Sequence, residues 1–192
     1  ENARLIEGER ARQKIEEELN IARDIQASLL PRHLPCTGWL CAAGRSTPSR
    51  QVGGDYFDLH QIGPTIWALV NADVSGKGVS SALLASLLQG VFLAAPYTSL
   101  PMEQAMARIN AFLLERTGGE KYATVFCGTL DRDGLLRYVN AGHGDPLLVR
   151  LDGHLQPLHA TGLPIGLREE ATYAAEEIRL GPGDKLVLYT DG

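Results

Sequence analysis

Hydrophobic and polar positions along the chain change period twice. Over residues 1–24 half of the positions are charged, Gly8 is the single glycine, and proline is absent. Ile15, Leu19 and Ala22 recur at a four-then-three spacing that Ile25 continues, while Arg12/Glu16 and Lys14/Glu18 set opposite charges four apart. This pattern predicts a long exposed helix with a narrow apolar seam, ended by the prolines of "LLPRHLP". Gly8 and Gln26 interrupt the seam. Length and charge favour a two-stranded coiled coil, with a solvated helix packed on its own domain as the alternative.

From Trp39 onward the texture shortens to strands and turns. "WLCAAGR", "VGGDYFDLHQI" and "TIWALVNADV" read as strands, the last two joined through Gly63-Pro64. Residues 78–95 and 101–116 read as helices, with Pro101 opening the second. "YATVFCGTLD", "LLRYVNAG", "PLLVRL" and "HLQPLH" follow, with turn signals at Asp133-Gly134 and Asp152-Gly153. "ATYAAEEIRL" and "KLVLYTDG", separated by "GPGD", finish the chain. Consecutive hairpins with an inserted helix pair predict an α+β fold with largely antiparallel sheet. The chain divides into an N-terminal linker helix, residues 1–30, and a folded domain, residues 31–192.

Composition narrows the picture. A chain of 192 residues, 44% hydrophobic, is long enough for one sizeable core plus an appendage. A net charge of −5 provides no basic field for a nucleic-acid backbone. No apolar run approaches the ~18 residues of a membrane span, and the N-terminus is a charged helix rather than a signal peptide. A cytoplasmic protein without direct membrane contact is expected. Cys36, Cys41 and Cys127 are odd in number and lack the paired spacing of a zinc knuckle, so they read as thiols of a reducing compartment.

Candidate chemistry gathers at strand ends. "SGKG" suggests a phosphate-cradling loop, but Asn71 stands where that motif needs its first glycine and Gly78 where it needs a hydroxyl. Three places set an aspartate beside glycine at or near a strand end: Asp55 in "VGGDYFD", Asp73 in "NADVSGKG" and Asp191 in "LYTDG". A hard divalent cation takes oxygen ligands, and strand ends hold carboxylates rigidly. The glycines allow backbone oxygens to approach closely. An ordinary turn is the competing reading for any one Asp-Gly. Three carboxylates gathered without a cation would repel one another.

"QVGGDYFD", "ADVSGKGVSSALL", "NAGH", "TGLPIGL" and "LVLYTDG" occur in the order found in a known family. The chain resembles the bacterial metal-dependent serine phosphatases of the sporulation stage II E and sigma-factor-regulator (RsbU-like) type, within the PPM/PP2C class. "ARDIQASLLP" is similar to that group's junction between helix and domain, so the likeness covers about residues 20–192. The resemblance implies a PP2C-like α-β-β-α sandwich of two antiparallel sheets flanked by helices, with two Mn²⁺ or Mg²⁺ ions at one end. It makes Asp55 and Asp73 metal ligands, with Asp73 the bridge, joined by the Val74 carbonyl, and gives Asp191 to the other ion. It implies hydrolysis of phosphoserine or phosphothreonine by metal-activated water, without a phosphoenzyme. Its substrate would be a phosphorylated STAS-type anti-anti-sigma protein, with an upstream sensor domain acting through a homodimeric N-terminal helix.

Several positions carry two readings. His143 in "NAGH" would assist the leaving group, bind phosphate, or hydrogen-bond a loop; Asn140 shares this ambiguity. Lys77 would meet the substrate phosphate or stand as a solvated loop lysine. Asp58 is expected to support the ligands rather than bind metal, and Gly162 to Gly166 to shape a loop. Family members continue past "YTDG" through a further helix and a strand bearing another metal-site aspartate. For residues 1–192 alone, weak metal affinity and poor phosphatase activity are therefore expected. The rival functions are a non-catalytic pseudophosphatase that binds the same partner, and another two-metal phosphoester hydrolase.

Overall fold

The computed structural model describes residues 2–48, 51–95 and 99–190. Helix α1 (Asn2–Leu29) leads into a short hairpin, β1 (Cys36–Thr37) and β2 (Leu40–Cys41). Strands β3 (Asp55–Gly63) and β4 (Ile66–Val74) follow, then helices α2 (Val79–Leu93) and α3 (Met102–Thr117). Strands β5 (Ala123–Asp131), β6 (Leu135–Ala141), β7 (Leu147–Val149), β8 (Leu155–Pro157), β9 (Glu176–Arg179) and β10 (Lys185–Val187) complete the order.

Five strands form the main sheet in the order β3-β4-β5-β6-β9, each antiparallel to its neighbour. A three-stranded sheet, β10-β7-β8, is likewise antiparallel. Because side chains alternate across a pleated strand, the main sheet feeds two cores. Val70, Ala72 and Val74 of β4, Val125 and Cys127 of β5, and Val139 and Ala141 of β6 pack against Leu88 and Phe92 of α2 and Met106, Ile109 and Leu113 of α3. The alternate residues Leu69, Phe126, Leu136 and Tyr138 meet Leu158, Leu186 and Leu188 on the side of the smaller sheet. Leu88, Phe92 and Leu113 are fully buried, each contributing about 1.5–3 kcal/mol of transfer free energy. The predicted antiparallel sheets and helices are present, and α2 and α3 cover one face of the main sheet.

Three local expectations change. "WLCAAGR" pairs only through Leu40 and Cys41. Beyond them a Cβ at Gly44 would stand 2.7 Å from the Phe57 ring, so this stretch lies against β3 rather than pairing along it. In "ATYAAEEIRL" the ladder begins at Glu176. The cysteines are not all thiols: the hairpin turn sets Cys36 opposite Cys41, and the two form a disulfide. Cys127 is buried on β5.

Helix α1 stands apart from these cores. Leu5, Ile6, Ile15, Ile21 and Ile25 are each more than half exposed, and its C-terminal end meets α2, where Gln89 donates a hydrogen bond to the Leu29 carbonyl. Among the described residues no helix is long and apolar enough to cross a membrane.

The turn before β10 is fastened by Asp184. Its carboxylate accepts from the backbone N–H of Gly181 at 2.8 Å and of Leu151 at 2.9 Å, and from Arg150 at 2.9 Å. The Gly181 amide first, then Arg150, holds this carboxyl below its ordinary value of 3.8. A carboxyl whose folded pKa is lowered stabilises the fold above its unfolded pKa, and that contribution is lost as pH falls through the folded value. Urea midpoints measured from neutral pH down through the carboxylate range should therefore fall less steeply for Asp184→Asn than for the parent, and the parent's advantage at neutral pH should vanish in acid.

Candidate metal centre

The β3–β4 register sets Asp55 directly opposite Asp73, and β5 continues the row by pairing Asp73 with Thr124. Asp73 shares the strand parity of Leu69, so the row lies on the face turned toward the smaller sheet, at the end of the strands. Asp55, Asp73 and Thr124 are half-buried. They line an open cavity of about 410 Å³ together with Gly53, Gly54, Val74, Ser75, Gly76, Lys77 and Gly78.

The walls are shaped by close backbone contacts. Val74 N–H donates to the Gly54 carbonyl at 3.2 Å, drawing the segment before β3 onto the end of β4. A Cβ on Gly54 would stand 2.7 Å from the Val74 carbonyl oxygen and 3.4 Å from Asp73 Oδ1, so only glycine fits there. Ser75 is paired with Tyr122 in both directions: its N–H donates to the Tyr122 carbonyl at 2.9 Å, and its hydroxyl accepts the Tyr122 N–H at 3.1 Å. Lys121 donates to the Ser75 carbonyl at 3.2 Å. The chain then turns through Gly76 and Gly78, with φ of 93° and 86°, into α2; that left-handed region favours glycine.

Two carboxylates on directly opposed residues repel each other, which a cation between them relieves. The donor set, hard oxygens from Asp55 and Asp73 beside the Val74 carbonyl, suits Mg²⁺ or Mn²⁺ rather than a thiophilic metal. Among the described residues no group of three His, Cys, Asp or Glu converges as a metal site. Asp191 lies outside the described residues.

Lys77 is exposed on the cavity rim. Asn140 and His143 lie inside the protein, 0% and 4% exposed. Asn140 Nδ2 donates to the Leu158 carbonyl at 3.0 Å, and its Oδ1 accepts the His143 N–H at 2.8 Å. The His143 ring spans several segments: Nδ1 is 3.0 Å from the Thr124 hydroxyl, and Nε2 is 3.0 Å from the Tyr189 carbonyl and 3.2 Å from the Asn71 side-chain amide. Nε2 donates to the Tyr189 carbonyl in one ring tautomer and accepts from the Asn71 amide nitrogen in the other. "NAGH" is thus an internal fastener that ties β6 to Thr124 of the carboxylate row and to the stretch after β10. Asp58 falls on the alternate face of β3, with Tyr56, and does not line the cavity. Thr124 and Tyr122 were missed in the sequence because their place depends on the register of β5, a strand some fifty positions further along.

A family model described as Stage II sporulation protein E (SpoIIE) matches residues 63–192, most of the chain. The chain belongs to the SpoIIE family. It is 28% identical over 182 residues to phosphoserine phosphatase RsbU of Bacillus subtilis, covering 94% of this chain and 54% of RsbU. It is 27% identical over 203 residues to Protein IcfG of Synechocystis, covering 91% of this chain and 32% of IcfG. The chain thus spans about half or less of the length of these relatives. The SiaA-PP2C domain of Pseudomonas aeruginosa matches with a TM-score of 0.73 at 21% identity, over 92% of this chain and 71% of that one. The RsbU and RsbW domains of Rv1364c from Mycobacterium tuberculosis match at 0.65 and 31%, over 76% and 41%. The SpoIIE-family chain therefore has the PP2C-like fold, with its paired aspartates at the strand ends.

Gly54→Ala should force the Val74 carbonyl away from its place, costing about 1–3 kcal/mol of stability in urea unfolding, the scale of overpacking. The control is Gly8→Ala, where a Cβ meets nothing within 4 Å; on an exposed helix it should stabilise by about 0.5–1 kcal/mol.

Proposed function

We propose that this SpoIIE-family domain is a metal-dependent protein phosphatase that hydrolyses phosphoserine or phosphothreonine. The observation that carries the reading is the direct opposition of Asp55 and Asp73 across β3 and β4, in one cavity with the Val74 backbone. Asp55 and Asp73 would hold two Mn²⁺ or Mg²⁺ ions, with Asp73 shared between them, the Val74 carbonyl beside them, and Asp191 on the second ion. Such ions supply activation of water and neutralisation of charge on the phosphoryl group.

The chain's own residues supply the positioning. The antiparallel pair β3–β4 fixes the backbone positions of the two aspartates relative to each other, the preorganisation that such a site requires. Lys77, exposed on the rim, is placed to attract a phosphate entering from solvent. Asn140 and His143 are buried and committed to internal bonds, so they are given no contact with substrate. The name phosphoserine phosphatase borne by RsbU supports a phosphoserine substrate, and the family resemblance suggests that it is carried by a regulatory protein of the STAS type. Exposed isoleucines along α1 support pairing with the same helix of a second copy, through which an upstream sensor domain would act.

Phosphate release from a phosphoserine STAS protein should require Mn²⁺ or Mg²⁺ and stop with a chelator. Asp73→Asn should lower it by about 100-fold or more, the scale of losing several kcal/mol of transition-state stabilisation. A nucleotide diester offered in parallel should be left intact. Retained turnover in Asp73→Asn overturns the reading. In light scattering the parent should be a dimer, and Ile15→Asp with Ile25→Asp a monomer; a monomeric parent refutes the pairing of α1.

A further inference from the structure

Gln26, which interrupts the apolar seam of α1, makes a contact that seam residues do not. Its Nε2 donates to the Gly53 carbonyl at 2.7 Å, and the Gly53 N–H donates back to its Oε1 at 3.1 Å. One primary amide thus satisfies both polar groups of a peptide segment 27 positions away, as a neighbouring β-strand would. Both residues are half-buried, where such a two-point contact is stronger and more directional than at an open surface.

Gly53 lines the carboxylate cavity, and the residues after it build the cavity wall. Gly54 accepts the Val74 N–H, and Asp55 opens β3 opposite Asp73. The connection from α1 to the carboxylate pair therefore runs Gln26, Gly53, Gly54, Asp55 without a gap. The same helix end is held again one turn on: Gln89 of α2 donates to the Leu29 carbonyl, and Leu30 packs on the helix-side core. The last turn of α1 is thus fixed to both the cavity wall and the helix layer.

We infer that Gln26 is a positioning residue for the carboxylate cavity: it fixes the Gly53 peptide to α1 and so holds the cavity wall that leads into Asp55. The inference rests on the metal-binding reading above only for its consequence on metal affinity, not for the contact itself. A shift of α1 along or about its axis would act on the cavity wall through this side chain.

The test uses Gln26→Ala, Gln26→Asn and Gln26→Glu, with the helix content of each checked by circular dichroism. Asn is one methylene too short to reach. Glu keeps the length and can accept the Gly53 N–H, but as a carboxylate it faces the Gly53 carbonyl with no donor. Amide hydrogen exchange should show Gly53 protected in the parent, about 10-fold or more faster in Gln26→Ala and Gln26→Asn, and still partly protected in Gln26→Glu; tenfold is the scale of one or two lost hydrogen bonds. Mn²⁺ affinity by calorimetry should fall by about 10-fold in all three. Folded Ala and Asn variants with parental Gly53 exchange overturn the contact. Faster exchange with unchanged Mn²⁺ affinity overturns the positioning role. The calorimetry uses the full-length protein; if that parent binds no Mn²⁺, the metal-binding reading fails, and Gly53 exchange still decides whether Gln26 holds the wall.

Discussion

The pairing of β3 with β4 in one particular register is the constraint on which the rest depends. It brings Asp55 opposite Asp73 and, through β5, Thr124 into the same row. A slip of one residue would turn every side chain of β3 to the other face, taking Asp55 off the cavity and Tyr56 out of the helix-side core. Opposed carboxylates are unfavourable by themselves. The register is held instead by what lies on the other face: Tyr56, Val70, Ala72 and Val74 are buried against α2 and α3. The site is imposed by a core that takes no part in its chemistry.

Around this row the walls are made mostly of backbone held by backbone or by polar side chains. Gly54 meets Val74, Ser75 pairs with Tyr122, and Gln26 clasps Gly53. The "NAGH" segment works at one remove, through the ring of His143 bonded to Thr124 and Tyr189. Directional contacts among partly buried groups have one good geometry and are costly to leave unmade. They suit a site whose oxygens need fixed separations more than they need bulk.

Similarity to the SpoIIE family and to PP2C-type structures accounts for the layered sheets. It says less about α1, which lies outside both cores and exposes its isoleucines. The physical link between that helix and the rest of the chain is concentrated in its last turn, at Gln26, Leu29 and Leu30. A helix joined this way can change its surroundings along most of its length while acting on the folded body at one place.

Periodicity and turn chemistry by themselves determined the α+β class, the helix spans and the hairpin corners. Asp133-Gly134 turns as expected because Asp131 accepts two nearby backbone N–H groups and Gly134 takes a φ of 79°, both local matters. The aspartates of "VGGD" and "NADV" were legible as chemistry because an acidic residue beside glycine at the end of an apolar strand suits a cation ligand. Tertiary structure alone decided that Asp55 faces Asp73 and Thr124, that His143 is buried between Thr124 and Tyr189, and that Cys36 joins Cys41. It also turned Gln26 from a break in a seam into a contact. Each of these depends on which distant residue stands opposite, and that is set by strand register and packing between segments that no local period of the chain describes.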